Sequence, residues 1–132
     1  MSRYVIDAPT LLHLVDHKVA VDPGHRLVAP ASIRSEALQL LLDDVRNGAR
    51  DDDAAMRAHE LLTGLKIRAL NDRVSRAVAW RIAREQGWAT LRDAEYAAVT
   101  RLQADALVTV DAALAGRIAG LVPVLPVERL RA

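Results

Sequence analysis

Residues 106–125 read ALVTVDAALAGRIAGLVPVL, and the fold is decided there. Ala106 to Val110 is an unbroken β-prone run. Asp111 is a residue type that opens helices, and small and apolar residues follow it to Gly120 before Val122 to Leu125 turns β-prone again. A strand, a short helix and a second strand in that order define a crossover, which lays the two strands side by side and parallel.

The same alternation extends toward the N-terminus. Tyr4-Val5-Ile6 is a short strand that stops at Asp7, and Pro9 sits where the first turn of a helix tolerates it, ahead of Leu11, Leu12, Leu14 and Val15. After the Asp22-Pro23-Gly24 turn, Leu27-Val28-Ala29 reads as a strand ended by Pro30. Ser32 is placed to cap a helix with Ile33, Ala37, Leu40 and Leu41 on one stripe, closed by Asn47-Gly48. Asp51 to Asp53 opens another through Leu62, with Gly64 past its end. Lys66 to Leu70 is a third strand; Asn71 or Asp72 opens a helix running to Gly87, and Asp93 opens the next, to about Gln103. The pattern predicts a three-layer α/β domain over residues 1–132, a parallel sheet with helices on both faces. Strand order does not follow from periodicity.

Composition narrows the function. The chain has 132 residues, 52% of them hydrophobic and 27% charged, which excludes a disordered chain. The uncharged run from Ile118 to Val127 falls well short of the ~18 residues a membrane span needs. Asp7 interrupts any signal-peptide core, so residence in the cytoplasm is expected, with no membrane partner. The absence of cysteine removes disulfides, thiol catalysis and thiolate zinc sites. Of the 18 basic residues only Lys18 and Lys66 are lysines. Such arginine excess suits phosphate, and a GC-rich genome produces it too. With four aromatic residues, an RNA partner would be held by its backbone rather than by stacked bases.

Acids sit where an open parallel sheet binds ligands, at the carboxyl ends of strands. Asp7 closes the first strand and Asp111 the fourth; Asp93 opens a helix that could face the same edge, and Glu36 borders the apolar stripe of its helix. Each has an ordinary alternative: Asp93 and Asp111 as helix caps, Glu36 as a solvated helix residue. Asp7 is costly beside a core unless something pairs with it. Four clustered carboxylates need a counter-charge. No lysine follows Lys66, and only Arg34 and Arg92 neighbour these acids in sequence, so a hard divalent cation is the better fit to oxygen-only ligands.

Val5-Ile6-Asp7 with its helix, Glu36, the block Asp93-Ala94-Glu95-Tyr96-Ala97-Ala98, and Leu107-Val108-Thr109-Val110-Asp111 followed by Val122-Pro123-Val124-Leu125 together resemble the PIN-domain proteins, the ribonuclease fold of VapC-type toxins. The resemblance spans nearly the whole chain; its specific part is the two C-terminal blocks, whose acids lie eighteen positions apart. It implies a central parallel sheet of four or five strands and a metal-dependent ribonuclease holding Mg²⁺ or Mn²⁺ on Asp7, Glu36, Asp93 and Asp111. It also implies a homodimer and a small antitoxin partner, as in type II toxin–antitoxin pairs. Thr109 matches the family's hydroxyl two residues before the last acid. Pro9 departs from the Ser or Thr often found two residues after the first acid, and Thr10, one position later, is a candidate substitute that the sequence leaves open.

On the helix after Asp72, Arg73, Arg76, Arg81 and Arg84 project within an arc of roughly 140° and are candidates to hold an RNA backbone, or a solvated face opposite Val74, Val78 and Ile82. His13 and His17 have the spacing of a zinc pair without a third ligand, and are read as a surface pair. Trp88 and Tyr96 are read as packing residues. A receiver domain would need a lysine after its last strands, which the chain lacks. The remaining alternative is a catalytically weak PIN-like binding or dimerisation module.

Overall fold

A computed structural model describes residues 1–132. Five strands form one sheet, all parallel, in the order β3-β2-β1-β4-β5: β1 (Ser2–Ile6), β2 (His25–Pro30), β3 (Ile67–Leu70), β4 (Ala106–Val108) and β5 (Val124–Leu125). Alternate residues along each strand feed two cores. Ile6, Ala29 and Val108 face α1 (Ala8–Asp16), α2 (Ile33–Arg46) and α3 (Asp52–Gly64). Val5, Val28 and Leu107 face α4 (Arg73–Gln86), α5 (Arg92–Gln103) and α6 (Ala112–Ile118). Strands this short, buried on both faces, are what parallel sheets require. No helix is long and apolar enough to cross a membrane.

Expected boundaries shift where local chemistry differs from propensity. Pro30 belongs to β2, opposite Leu70, at the end of the ladder where its missing N–H costs little. Gly64 closes α3 from inside, and Leu65 is the cap. Ser32 makes no capping bond, because its hydroxyl is turned to Glu36. Asp93 is not a cap either: Leu91 holds that position and Asp93 lies in the first turn of α5. By contrast Asp51, Asp72 and Asp111 do cap α3, α4 and α6 through their side chains, and Gly87 ends α4 at φ 68°, a conformation glycine adopts without cost. The buried stripe of α4 is Ser75, Ala79, Ile82 and Ala83; Val74, expected inside, is 59% exposed. A 3-10 turn at Val127–Leu130, absent from the sequence pattern, plugs Leu130 into the first core.

Chain order reverses at β1. The chain grows outward through β2 and β3 on one side, then returns to place β4 and β5 on the other. Reversal opens a crevice between the carboxyl ends of β1 and β4, the place where such sheets bind ligands.

Candidate active site

Asp7 follows β1 directly, is 1% exposed, and caps α1 with Oδ1 accepting from Thr10 N at 3.2 Å. The Thr10 hydroxyl donates to the same oxygen, and Thr109 Oγ1 donates to Oδ2 at 2.8 Å. Each threonine oxygen also accepts a backbone N–H from beyond β4: Thr10 Oγ1 from Val110 at 3.0 Å, Thr109 Oγ1 from Asp111 at 2.9 Å. Thr10, beside Pro9, is fully buried and its hydroxyl is turned to Asp7. Burial raises the pKa of Asp7 against the lowering effect of these hydrogen bonds. Its Oδ2, with one donor, retains room for another partner.

Asp111 caps α6 through Oδ1, which accepts from Ala113 N at 3.0 Å and Leu114 N at 3.2 Å and leaves Oδ2 uncommitted. The acid can therefore be cap and ligand at once.

Glu36 and Asp93 are held differently. Glu36 accepts from Arg92 Nε at 2.6 Å on Oε1, and from Ser32 Oγ at 2.7 Å and Tyr96 Oη at 3.1 Å on Oε2. Asp93 accepts from Arg117 Nε at 2.7 Å. No three acidic or histidine side chains converge closely enough to hold a metal ion in this arrangement, since two of the four carboxylates are turned to arginines. Sequence neighbours reveal only part of this arginine pairing: Arg92 adjoins Asp93 but pairs with Glu36. Arg117 lies 24 positions from Asp93 and is brought to it by α6, which only the tertiary fold could show. The four carboxylates form an oxygen-only donor set, the chemistry that a hard divalent ion takes.

Two further residues lie near Glu36. Tyr96 is 1% exposed and reaches Glu36 with its hydroxyl, and burial first, then the charge of Glu36, pushes its pKa far up, with Asp7 adding to the effect. It remains a neutral donor, a role beyond packing. Glu95 lines a cavity of about 210 Å³ with Ser32, Asn71 and Arg76; burial and the charge of Glu36 raise its pKa. Its sequence signal is only its place two residues after Asp93. Of the arginine row on α4, all four are exposed and Arg76 alone lines this cavity, while Arg81 lines a separate groove with Arg101. His13 and His17 stack with ring centroids 4.3 Å apart on α1.

No family model and no curated protein matches the sequence. Solved structures do, and they are matched end to end. The architecture is a PIN-like fold, and the resemblance to PIN-domain proteins of the VapC type holds at the level of the fold. The chain is similar to the crystal structure of PAE2754 from Pyrobaculum aerophilum, with 27% identity over 98% of this chain and 93% of that one, at a TM-score of 0.71. It is also similar to VapBC-1 from nontypeable Haemophilus influenzae, with 18% identity over 96% of this chain and 98% of that one, at a TM-score of 0.63.

Proposed function

We propose that the protein is a metal-dependent endoribonuclease, hydrolysing RNA phosphodiesters, and the toxin of a type II toxin–antitoxin pair. The observation that carries this reading is the buried Asp7 carboxylate at the chain-order reversal, joined through Thr109 to the backbone of Asp111. The carboxylates of Asp7, Glu36, Asp93 and Asp111 would hold Mg²⁺ or Mn²⁺. Bound there, the ion would supply Lewis-acid polarisation of a phosphate and a lowered pKa for a water beside it.

The chain's own residues do the positioning. Thr10 and Thr109 fix both oxygens of Asp7, so the carboxylate has no rotation left to lose on binding. Tyr96 orients Glu36 from below. Arg92 and Arg117 pair with Glu36 and Asp93, and would be free to face phosphate if those acids held a cation. Arg76, which lines the cavity of Glu95 and Ser32, is the member of the α4 row best placed to hold the RNA backbone. A small antitoxin, a homodimer and a cytoplasmic setting accompany this reading by resemblance.

A second reading has a specific observation in its favour. Two of the four acids are paired with arginine, which suits a catalytically weak binding or dimerisation module. Incubation of single-stranded RNA with the purified protein, with Mn²⁺ or with chelator, tests both. Chelator-sensitive cleavage that disappears in Asp7→Asn supports the nuclease; no cleavage with metal leaves the module.

A further inference from the structure

β3 is a margin of the sheet, with β2 on one side and no strand on the other. Its ladder tells which backbone groups are left over. The N–H and C=O of one strand residue lie on the same side, and that side alternates from residue to residue. Leu70 O accepts from Ala31 N at 2.8 Å, so the groups of Leu70 and of Arg68 point at β2. Those of Ile67 and Ala69 point outward, along a strand whose Arg68 and Ala69 are exposed. Just before the strand Leu65 O is taken by Arg34 Nη2 at 3.1 Å, but nothing comparable reaches Ile67 or Ala69.

Alternation sorts the side chains as well. Lys66 and Arg68 stand on one face of this edge, ~6.6 Å apart at the rise of two residues, and Ile67 and Ala69 stand on the other. Both cations are exposed, and neither joins an ion pair, since those of the molecule are made by Arg50, Arg92 and Arg117. Arg26 precedes Leu27 as Lys66 precedes Ile67, and Leu27 and Ile67 are partners, so a third cation stands beside Lys66 on β2. Its Nε is turned to the thioether of Met1, at 2.8 Å. Neither β2 nor β3 contains an acid.

A row of unpaired peptide groups is a template for another strand. A second copy of this chain is the wrong occupant. Two such edges set together bring Lys66 and Arg68 against the same cations, and like charges directly opposite destabilise a strand pair. The charges that guard the edge against its own kind favour a strand of the other sign. A nucleic acid meets the cations and leaves the peptide groups unanswered. The opposite margin, β5, has two residues against the four of β3 and offers less.

We propose that β3 is a docking edge for an extended segment of a partner protein, added beside it as a further strand. Acidic residues at alternate positions of that segment face Lys66 and Arg68, and small or apolar residues between them face Ile67 and Ala69. Main-chain hydrogen bonds supply affinity, and the alternation of side chains supplies selection. The proposal stands apart from the nuclease reading, because β3 carries none of the four acids.

The probe is a capped peptide alternating glutamate with valine and threonine, titrated against the full chain. It is expected to bind, more weakly as salt rises, and to slow amide exchange at Ile67 and Ala69. Arg68 and Leu70, bonded to β2 with or without peptide, should not change. Lys66→Glu with Arg68→Glu, both exposed side chains, should keep the melting temperature and weaken the peptide about tenfold or more. A peptide with lysine in place of glutamate should prefer that variant to the parent. Two further peptides, N-methylated at the glutamates or at the residues between them, test the backbone without altering the protein, and one of them should lose binding. Absence of binding by the glutamate peptide, unmoved Ile67 and Ala69 amides, or undiminished binding of both methylated peptides overturns the proposal. So does a short single-stranded RNA that slows the same two amides, or protection of them in the free chain that fades on dilution, which would seat a second copy there.

Discussion

Thr109 Oγ1 donates a hydrogen bond of 2.8 Å to Asp7 Oδ2 across 102 positions of sequence, and the same oxygen accepts the N–H of Asp111 at 2.9 Å. One hydroxyl thereby couples the ends of β1 and β4. Replacing it by the isosteric Thr109→Val leaves a buried carboxylate oxygen and a backbone N–H without their partner. The expected loss is ~1–3 kcal/mol in urea unfolding, larger than for an exposed Thr to Val change. An unchanged unfolding midpoint would show that the bond contributes nothing.

Asp7 sets a pH dependence. Burial raises its pKa above the ordinary value of 3.8 in the folded state, so in the interval between the two the folded chain binds more protons than the unfolded one. Stability must then fall as pH rises from that ordinary value through the folded one, and stay lower above it. Asp7→Asn cannot titrate. In chelator, the difference in unfolding midpoint between variant and wild type should move in the variant's favour with rising pH, and a flat difference contradicts the burial cost.

Asp111 combines two roles that one substitution separates. Asparagine caps helices about as well as aspartate, so Asp111→Asn should leave α6 and the melting temperature little changed. A neutral amide is a poor ligand for a hard cation. RNA cleavage should drop by orders of magnitude, and stabilisation by Mn²⁺ should weaken. Full cleavage in this variant would reduce Asp111 to a cap.

Arg117 competes with any cation for Asp93. A metal that binds the native state alone raises its melting temperature. Arg117→Gln should enlarge the shift produced by Mn²⁺, because the ion no longer displaces a guanidinium. Removal of an exposed ion pair by itself should cost at most ~1 kcal/mol. An identical metal response in both proteins would remove Arg117 from the competition.

The α4 arginines separate phosphate grip from solvation. In Arg76→Ala with Arg84→Ala, RNA binding should weaken alike for all sequences, with the salt slope flattened by about one unit per lost contact. An unchanged slope returns the row to a solvated face.

Much of this arrangement was legible in local pattern. The alternation of strands and helices follows from hydrophobic periodicity, and Asp51, Asp72 and Asp111 announce their helices because an aspartate side chain satisfies free N–H groups at a helix start. Glu36 at the border of its stripe is half-buried, as its angle on the helix predicts. What stays hidden is set by which partners the folded chain brings within reach. Ser32 gives up capping because Glu36 lies within reach of its hydroxyl. Thr10 becomes a partner of Asp7 only because the helix turn returns it there, and Arg117 finds Asp93 only once α6 packs beside α5. Strand order carries no periodic signal at all. The open edge at β3 needs that order, since no local pattern tells a margin strand from a central one.

The central place of β1 has a consequence for synthesis. β1 is made before the other strands of this sheet and has β4 as one neighbour, and a hydroxyl that satisfies Asp7 follows β4. A ribosome that has released only β1, β2 and β3 with their helices has made a chain with an open sheet edge along β1 and an aspartate missing one of its partners. Thr109 and Asp111 arrive together, late, and only then does the crevice exist. If this crevice cuts RNA, the growing chain is harmless to its own message until β4 and the residues just after it have emerged, and a copy terminated before them is harmless altogether.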